Sequence, residues 1–217
     1  MANLILVENF VRKIMANESS GHDWFHVQRV CNNAKMLANH EVPVDLEVVL
    51  GAAFLHDIPD RKLTTDVDVA YAQTEQILIE AEFSASQRAH VLEIIRGVSY
   101  LGAGVETPMH TLEGKLVQDA DRLDALGAIG IARCFAYGGK KGRLLYDPNS
   151  APQLHSSADN YFQSEGTSLN HFYEKLLLLQ DRMQTVSGKK AAAKRHRYLE
   201  DYLNQFLSEW NGQDLPD

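Results

Sequence analysis

The sequence lacks the signals of a secreted or membrane-bound protein. Its 217 residues include two cysteines, Cys31 and Cys134, both inside apolar helical patterns, so buried free thiols are expected and a disulfide framework is not. No run approaches the roughly 20 apolar residues that are needed to span a bilayer. The N-terminal apolar stretch contains Glu8 and no small-residue cleavage site, which predicts an amphipathic helix. We therefore expect a cytoplasmic protein with no membrane partner.

Positive charge is also scarce in this chain. Lys and Arg number 21 against 29 Asp and Glu, which gives a net charge of −8. A nucleic-acid backbone attracts a basic surface, so nucleic acid is not an expected partner. A small anion could still bind where a metal ion or a local group of Arg and Lys supplies positive charge.

Strand signals hardly occur, because apolar residues recur mostly at helical spacing and alternating β-branched runs are few. The pattern predicts an all-α fold. We predict helices at residues 3–16, 23–40, 45–57, 66–82, 86–98, 111–137, 168–185 and 188–210. Residues 1–217 are expected to form a single unit, with a core at 1–137, a long loop at 138–167 and C-terminal helices at 168–210. A loop of about 30 residues is unusual in a compact domain, so it is expected to be functional or partly mobile.

The dipeptide His56-Asp57 is the first candidate for chemistry. On a helical wheel His56 lies near the middle of an apolar stripe that includes Ala52 and Leu55. A core histidine bonded to a carbonyl would explain it, but the adjacent Asp57 adds a carboxylate, which is rarely buried unless it is paired or bound to a metal. Pro59 disfavours helical geometry just before it, so the helix is expected to end here and both side chains could reach one ion.

His26 is the second candidate, at the edge of an apolar stripe that contains Val30 and Leu37. A histidine at such an edge can face a cleft. Spacing alone does not choose between His26 and the nearby His22, although His22 is expected to precede the helix.

A later helix supplies acidic residues. Asp121 falls at the border of its apolar face, Asp124 falls well inside that face, and Asp119 points largely away from it. Acids on the inner side of a helix need a counter-charge. A metal ion could supply it, and so could a salt-bridge network with Arg122 or Arg133.

The order of these candidates resembles the HD-domain metal-dependent phosphohydrolase superfamily. The resemblance is carried by HDWFHVQRV, LGAAFLHDIPDRK and VQDADRLDALGAIGIARCFAYGG, and it continues through NHFYEKLLLL and the C-terminal helices. These segments look like a bacterial branch of uncertain substrate. The resemblance implies an HD-domain helical bundle with additional C-terminal helices, and metal ligands at His26, His56, Asp57 and Asp121.

One departure from the superfamily pattern bears on the number of metal ions. Branches with two metals have extra histidines between the HD pair and the last Asp, and the contexts of His90 and His110 do not match those ligands. The GYP motif of cyclic dinucleotide phosphodiesterases is absent. We therefore expect one divalent ion, which a mixed set of imidazole and carboxylate ligands would select from Mn, Fe, Co, Ni, Zn and Mg.

Several cations are candidates for contacts with a substrate phosphate. Arg29 lies three residues after His26, and Arg61 and Lys62 follow the HD turn, although each could equally be a solvated surface residue. Asp60 could orient a ligand or a water, or could simply belong to a surface turn.

The basic segment GGKKGR lies in the long loop. It lacks the Walker spacing, so we do not interpret it as a phosphate-binding loop. Lys140, Lys141 and Arg143 are better interpreted as a mobile basic surface loop or a homodimer contact, with a flap over an anionic substrate as the alternative.

The leading hypothesis is a phosphohydrolase that cleaves a phosphate ester of a small molecule or nucleotide with metal-activated water, with Asp57 essential for catalysis. The alternative is a metal-bearing nucleotide-binding or regulatory module with little turnover. A phosphodiesterase acting on nucleic acid ranks third because of the acidic net charge.

Overall fold

The computed structural model describes residues 1–17, 21–61 and 63–216, and their regular structure is helical throughout, without strands. The predicted all-α fold is therefore confirmed. The α-helices are α1 Leu4–Ile14, α2 Trp24–Ala38, α3 Leu46–Leu55, α4 Val67–Glu80, α5 Ala85–Val98, α6 Leu112–Asp124, α7 Gly127–Lys140, α8 Ala158–Phe162, α9 Asn170–Glu174 and α10 Val186–Trp210. Short 3₁₀ turns follow α1 and α9, at Met15–Asn17 and Leu176–Leu178.

Short polar residues fix where the helices begin. Asp23, Asp45, Ser84 and Thr111 each precede a helix, and each side chain accepts a hydrogen bond from a backbone N–H of the first turn. Such caps satisfy donors that have no partner inside the helix. The cap at Asp23 matters most for function, because it sets the start of α2 and with it the position of His26.

Helix α3 lies at the centre of the helical core. It packs against α1, α2, α5 and α6, and α2 in turn packs along α6. Most of its residues are buried, including Val49, Ala52 and Leu55. The close packing of α2, α3 and α6 brings the residues at the end of α3 towards the start of α2 and the second half of α6.

The single helix predicted at 111–137 is wrong, because the chain breaks it into α6 and α7. Helix α6 ends at Asp124, and Gly127 has a φ of +68°, a backbone conformation that favours glycine. A Cβ at Gly127 would lie 3.2 Å from Cβ of Arg195 in α10. The glycine at the break therefore leaves room for α10, a helix that is distant in sequence.

The helix predicted at 168–185 is also wrong. This stretch consists of α9 and a 3₁₀ turn, and Lys175 between them leaves the helical region with φ −141° and ψ −61°. Leu169, Phe172, Leu176 and Leu179 are all buried. Their spacing of three and four residues imitates a helix, although the chain buries them by turning.

Residues 138–167, which were predicted to be one long loop, are partly helical. Residues 138–140 form the end of α7, and the short helix α8 lies further along the segment. The backbone N–H groups of Ser168 and Leu169 donate to the carbonyls of Leu144 and Leu145, each at 2.9 Å. This segment and α9 border the cleft described below.

Helix α10 packs against α6 and α7, and its start is held by a buried carboxylate. Asp119 of α6 accepts hydrogen bonds from the backbone N–H groups of Gln184 and Thr185 and from the Thr185 hydroxyl, at 2.7 to 2.9 Å. The helical wheel placed Asp119 away from the apolar face, and the structure buries it against this second partner. Among the described residues, no helix combines the length and the apolar character needed to cross a membrane.

Candidate metal centre

Four side chains from three helices converge where α2, α3 and α6 meet. His26 is in the first turn of α2, His56 and Asp57 follow the last residue of α3, and Asp121 is in α6. The Nε2 atom of His26 lies 3.3 Å from Asp57 Oδ2 and 3.6 Å from Asp121 Oδ1. The Nε2 atom of His56 lies 3.4 Å from Asp57 Oδ1 and 3.8 Å from Asp121 Oδ1. We call these four residues the metal cluster.

The protonation of His26 is set by Asp124. His26 is fully buried, and its Nδ1 lies 2.7 Å from Oδ2 of Asp124. Because an ionised carboxylate only accepts hydrogen bonds, Nδ1 carries a proton and donates it, which leaves Nε2 of the neutral ring bare. A histidine held by a carboxylate through one nitrogen, with the other nitrogen presented to an ion, is a recurrent arrangement at metal sites.

Asp124 is itself held by two arginines. The Nε and Nη2 groups of Arg29 donate to its two oxygens at 2.7 and 3.0 Å, and Nη1 of Arg133 lies 3.1 Å from Oδ2. Burial raises the pKa of Asp124, but hydrogen bonds from His26 and Arg29 outweigh burial and hold the pKa well below its usual value. Asp124 is therefore ionised, as its role towards His26 requires.

In His56 the Nε2 atom is also left without a proton, here because of a backbone carbonyl. Its Nδ1 lies 2.9 Å from the carbonyl oxygen of Ala53, which can only accept, so Nδ1 donates and Nε2 is bare in the neutral ring. The two Nε2 atoms of His26 and His56 are 3.3 Å apart. Two bare nitrogens at this distance, beside two carboxylates, need a proton or a metal ion between them. The donor set therefore fits a divalent metal ion.

The carboxylates of the cluster are ionised. Burial raises the pKa of Asp57, but the positive charge that His56 and His22 carry when protonated acts against burial and holds the pKa well below its usual value. Burial also raises the pKa of Asp121, and attraction by His56 and His26 again lowers it overall.

His22 lies next to the cluster, although the sequence could only offer it as an alternative to His26. Its Nδ1 is 2.9 Å from Oδ2 of Asp57, and the residue precedes the N-cap of α2, as expected. Within the described residues, two triads have ligand atoms within 4.8 Å of one another, His22–His26–Asp57 and His26–His56–Asp121. His22 is thus an additional neighbour of the cluster and does not replace His26.

His90 and His110 lie outside these triads, considering the part of the chain that the structure describes. Nε2 of His90 is 2.8 Å from the hydroxyl of Thr111, the cap of α6.

The predicted phosphate contacts have different surroundings. Arg29 is bound to Asp124, Arg61 is exposed, and Lys62 lies outside the described residues. Asp60 lies at the cleft, and Ser99 donates a hydrogen bond to it at 3.4 Å.

A cleft opens beside the cluster and contains about 1220 Å³ of space, including open solvent. Its lining includes His56, Asp57 and Asp121 from the cluster, and residues from α5, α7, α8 and α9. Its cationic lining residues are Arg122, Arg133, Arg143 and Lys175. The acidic side chains Asp57, Asp60, Asp121 and Glu174 line the same cleft, so cations and carboxylates face one another there.

Two of these cations are notable. Arg122 follows Asp121 directly and is buried, and its Nε has no hydrogen-bond partner among the described residues. Burial lowers the pKa of Arg122 to about 10, so the side chain stays charged at neutral pH. Arg143, from the GGKKGR segment, reaches the cleft and donates to the carbonyl of Ser164 at 2.5 Å, whereas Lys140 and Lys141 are exposed.

Comparison with known families gives one clear match. The model of the HD domain family matches residues 24–126, which include all four residues of the metal cluster. The Bacillus subtilis protein YpgQ is 35% identical over 210 residues, covering 96% of this chain and 94% of YpgQ.

Solved structures extend the similarity over almost the whole chain. A Lactobacillus plantarum protein has 36% identity and a TM-score of 0.88, covering 97% of each chain. An HD-superfamily hydrolase from Bacillus thuringiensis has 42% identity and a TM-score of 0.74, covering 96% of each chain. YpgQ in complex with ADP has 32% identity and a TM-score of 0.75, covering 98% of each chain.

Proposed function

This chain belongs to the HD domain family, and we propose that it is a metal-dependent phosphohydrolase that cleaves a phosphate ester of a nucleotide or another small molecule. The relatives that are HD-superfamily hydrolases support a hydrolytic enzyme. The ester and the ligand assignment are our own inference.

One observation carries the proposal. The bare Nε2 atoms of His26 and His56 face one another at 3.3 Å beside two ionised carboxylates, Asp57 and Asp121. These four side chains would hold one divalent ion of the group Mn, Fe, Co, Ni, Zn or Mg. When bound, such an ion polarises a phosphoryl oxygen and makes a bound water more acidic.

The remaining residues position the cluster and receive the substrate. Arg29 and Arg133 keep Asp124 ionised, and Asp124 keeps Nε2 of His26 directed at the cluster. Arg122 lines the cleft and is charged, so it can attract the phosphate of a substrate there. Arg61 and Lys62 stay predictions from the sequence.

A nucleotide is the substrate class that we favour. YpgQ, which matches nearly the whole of this chain, forms a complex with ADP. The cleft joins the metal cluster to cationic and aromatic side chains such as Lys175 and Tyr161, which suit the phosphates and the flat base of a nucleotide.

The test is hydrolysis of an aryl phosphate and a panel of nucleotides by the Mn²⁺-loaded protein. We predict phosphate release by the wild type and a loss of at least about 10³-fold in rate for Asp57→Ala, because the variant loses a carboxylate of the cluster that would hold the metal ion. Circular dichroism should show unchanged helicity. Full activity in Asp57→Ala would rule out the proposed mechanism.

A second function is favoured by the same ADP complex. A nucleotide-binding regulatory module would bind nucleotides through this cleft and release no product. Tight nucleotide binding combined with no hydrolysis of any member of the panel would select this alternative.

A further inference from the structure

A second wall of the cleft comes from elements that carry none of the metal cluster. Glu174 at the end of α9 and Tyr161 of α8 line the cleft, and His155 lies in the segment before α8. Glu174 also lines a neighbouring polar pocket that His155 borders. We call Glu174 and Tyr161, together with His155 of the neighbouring pocket, the distal wall.

Glu174 has unused capacity to accept hydrogen bonds. The residue is 3% exposed, and its Oε1 accepts one hydrogen bond from the backbone N–H of Gln153 at 3.0 Å. Its Oε2 lies 4.0 Å from Nε2 of His155, too far for a hydrogen bond. A carboxylate can accept about four hydrogen bonds and is costly to bury without them.

His155 gives an independent indication that a partner is missing. It is 7% exposed, and its Nε2 is buried without a hydrogen-bond partner within the described part of the chain. A buried polar atom of this kind usually has a protein, water or ligand partner. Two under-used polar groups therefore lie near one another, Glu174 at the cleft that reaches the metal cluster and His155 at the neighbouring pocket that Glu174 also lines.

The surrounding rings favour a flat partner. Tyr161 is stacked with His171 at 6.3 Å between ring centroids, and its ring meets that of Tyr100 edge-on at 5.3 Å. A carboxylate repels phosphate, so the phosphates of a substrate are not expected at Glu174. A flat heterocycle that carries N–H groups can pack against the rings and donate hydrogen bonds to the carboxylate.

We propose that Glu174, supported by His155 and Tyr161, selects substrates whose non-reacting end is a nucleobase bearing an amino group. The inference rests on the proposed function in so far as the substrate is a nucleotide. In this arrangement the amino group donates to Glu174 while the phosphates point towards the metal cluster. Glu174 is then a specificity residue that takes no part in cleavage.

The experiment compares two ligands that differ by one amino group. Mn²⁺-loaded protein is titrated calorimetrically with the α,β-methylene analogues of GDP and IDP, in which carbon replaces the bridging oxygen and blocks cleavage there. The wild type should bind the GDP analogue about tenfold or more tightly, because one hydrogen bond to a charged group is lost with IDP. Glu174→Gln should reduce this preference to within about twofold.

Control variants separate recognition from folding. Glu165→Gln changes an exposed acid at the neighbouring pocket and should keep the full preference. Tyr161→Leu should weaken both analogues and keep their ratio. Glu174→Gln retains an oxygen that can accept from Gln153, so it should fold like the wild type, which circular dichroism checks.

Three results would overturn the proposal. They are equal affinity of the wild type for both analogues, a preference that survives in Glu174→Gln, and a Glu174-dependent loss of affinity for the 2′-deoxy GDP analogue, which would place the sugar at the carboxylate. Failure of the proposed function looks different. In that case no phosphate ester is hydrolysed, while a Glu174-dependent preference for the amino group can still be measured.

Discussion

Asp124 does not face the metal cluster, yet it determines which nitrogen of His26 does. The carboxylate holds Nδ1 at 2.7 Å and is held in turn by Arg29 and Arg133. The sequence offered Asp124 as a competitor of Asp121, and His22 as a competitor of His26. A helical wheel gives the direction of a side chain but not its neighbours on other helices, so it could not separate ligand from supporting residue.

Replacing the carboxylate of Asp124 tests this supporting role. Asp124→Asn should lower the affinity for Mn²⁺ by about 10- to 100-fold, because the amide no longer fixes the tautomer of His26 or matches the charge of Arg29. Titration calorimetry on the metal-free variant measures the affinity. Asp68→Asn, an exposed acid of α4, is the matched control and should bind like the wild type. Unchanged affinity in Asp124→Asn would show that the support is unnecessary.

The two cysteines give a prediction about reactivity. Burial raises the pKa of Cys134 to about 12 and the pKa of Cys31 also rises through burial, so both thiols stay protonated at pH values well above the range of an exposed thiol. Iodoacetamide near pH 8 should label neither in the native protein and both after denaturation, as counted by mass spectrometry. Rapid labelling of the native protein would contradict their burial.

At the level of helices, the sequence predicted the boundaries that are fixed by local signals. The starts of α2, α3 and α6 and the stop before Pro59 depend on residues that are near in sequence, and the structure places these boundaries close to the prediction. The break at Gly127 depends on the contact with Arg195 in α10. The turns after α9 depend on apolar residues buried in several directions, which no single helical face describes.

The joint between α6 and α10 can be tested at one glycine. A Cβ on Gly188 would lie 2.3 Å from Oδ2 of Asp119. This oxygen accepts the hydrogen bond from the Thr185 backbone N–H that holds the start of α10. Gly188→Ala should therefore lower the free energy of unfolding by about 1–3 kcal/mol, measured by urea denaturation.

Gly139 provides the control for that substitution. A Cβ there meets no atom within 4 Å, and Gly139 lies inside α7. Gly139→Ala should leave stability unchanged or raise it by up to about 1 kcal/mol, because alanine favours helix. Equal effects of the two substitutions would show that the contact of Gly188 with Asp119 is unimportant.

At the scale of the whole molecule, the cleft combines parts that are far apart in the sequence. The metal cluster comes from α2, α3 and α6, whereas the cations and rings facing it come mainly from α7, α8 and α9. The resemblance to the HD-domain superfamily pointed to the cluster residues, because their order and their flanking segments are recognisable. It could not name the distal wall, because no local pattern shows that Tyr161 and Glu174 share a cavity with Asp57.

The number of metal ions that the protein binds is the most direct test of the central claim. Metal-free wild type and Asp57→Ala are each titrated with Mn²⁺ in a calorimeter, and the wild type is also analysed for metal as purified. We predict one ion per chain for the wild type and an affinity at least about 100-fold lower for Asp57→Ala, because a ligand is lost. Absence of binding, two tight ions per chain, or an unchanged affinity in Asp57→Ala would contradict the one-ion centre at His26, His56, Asp57 and Asp121.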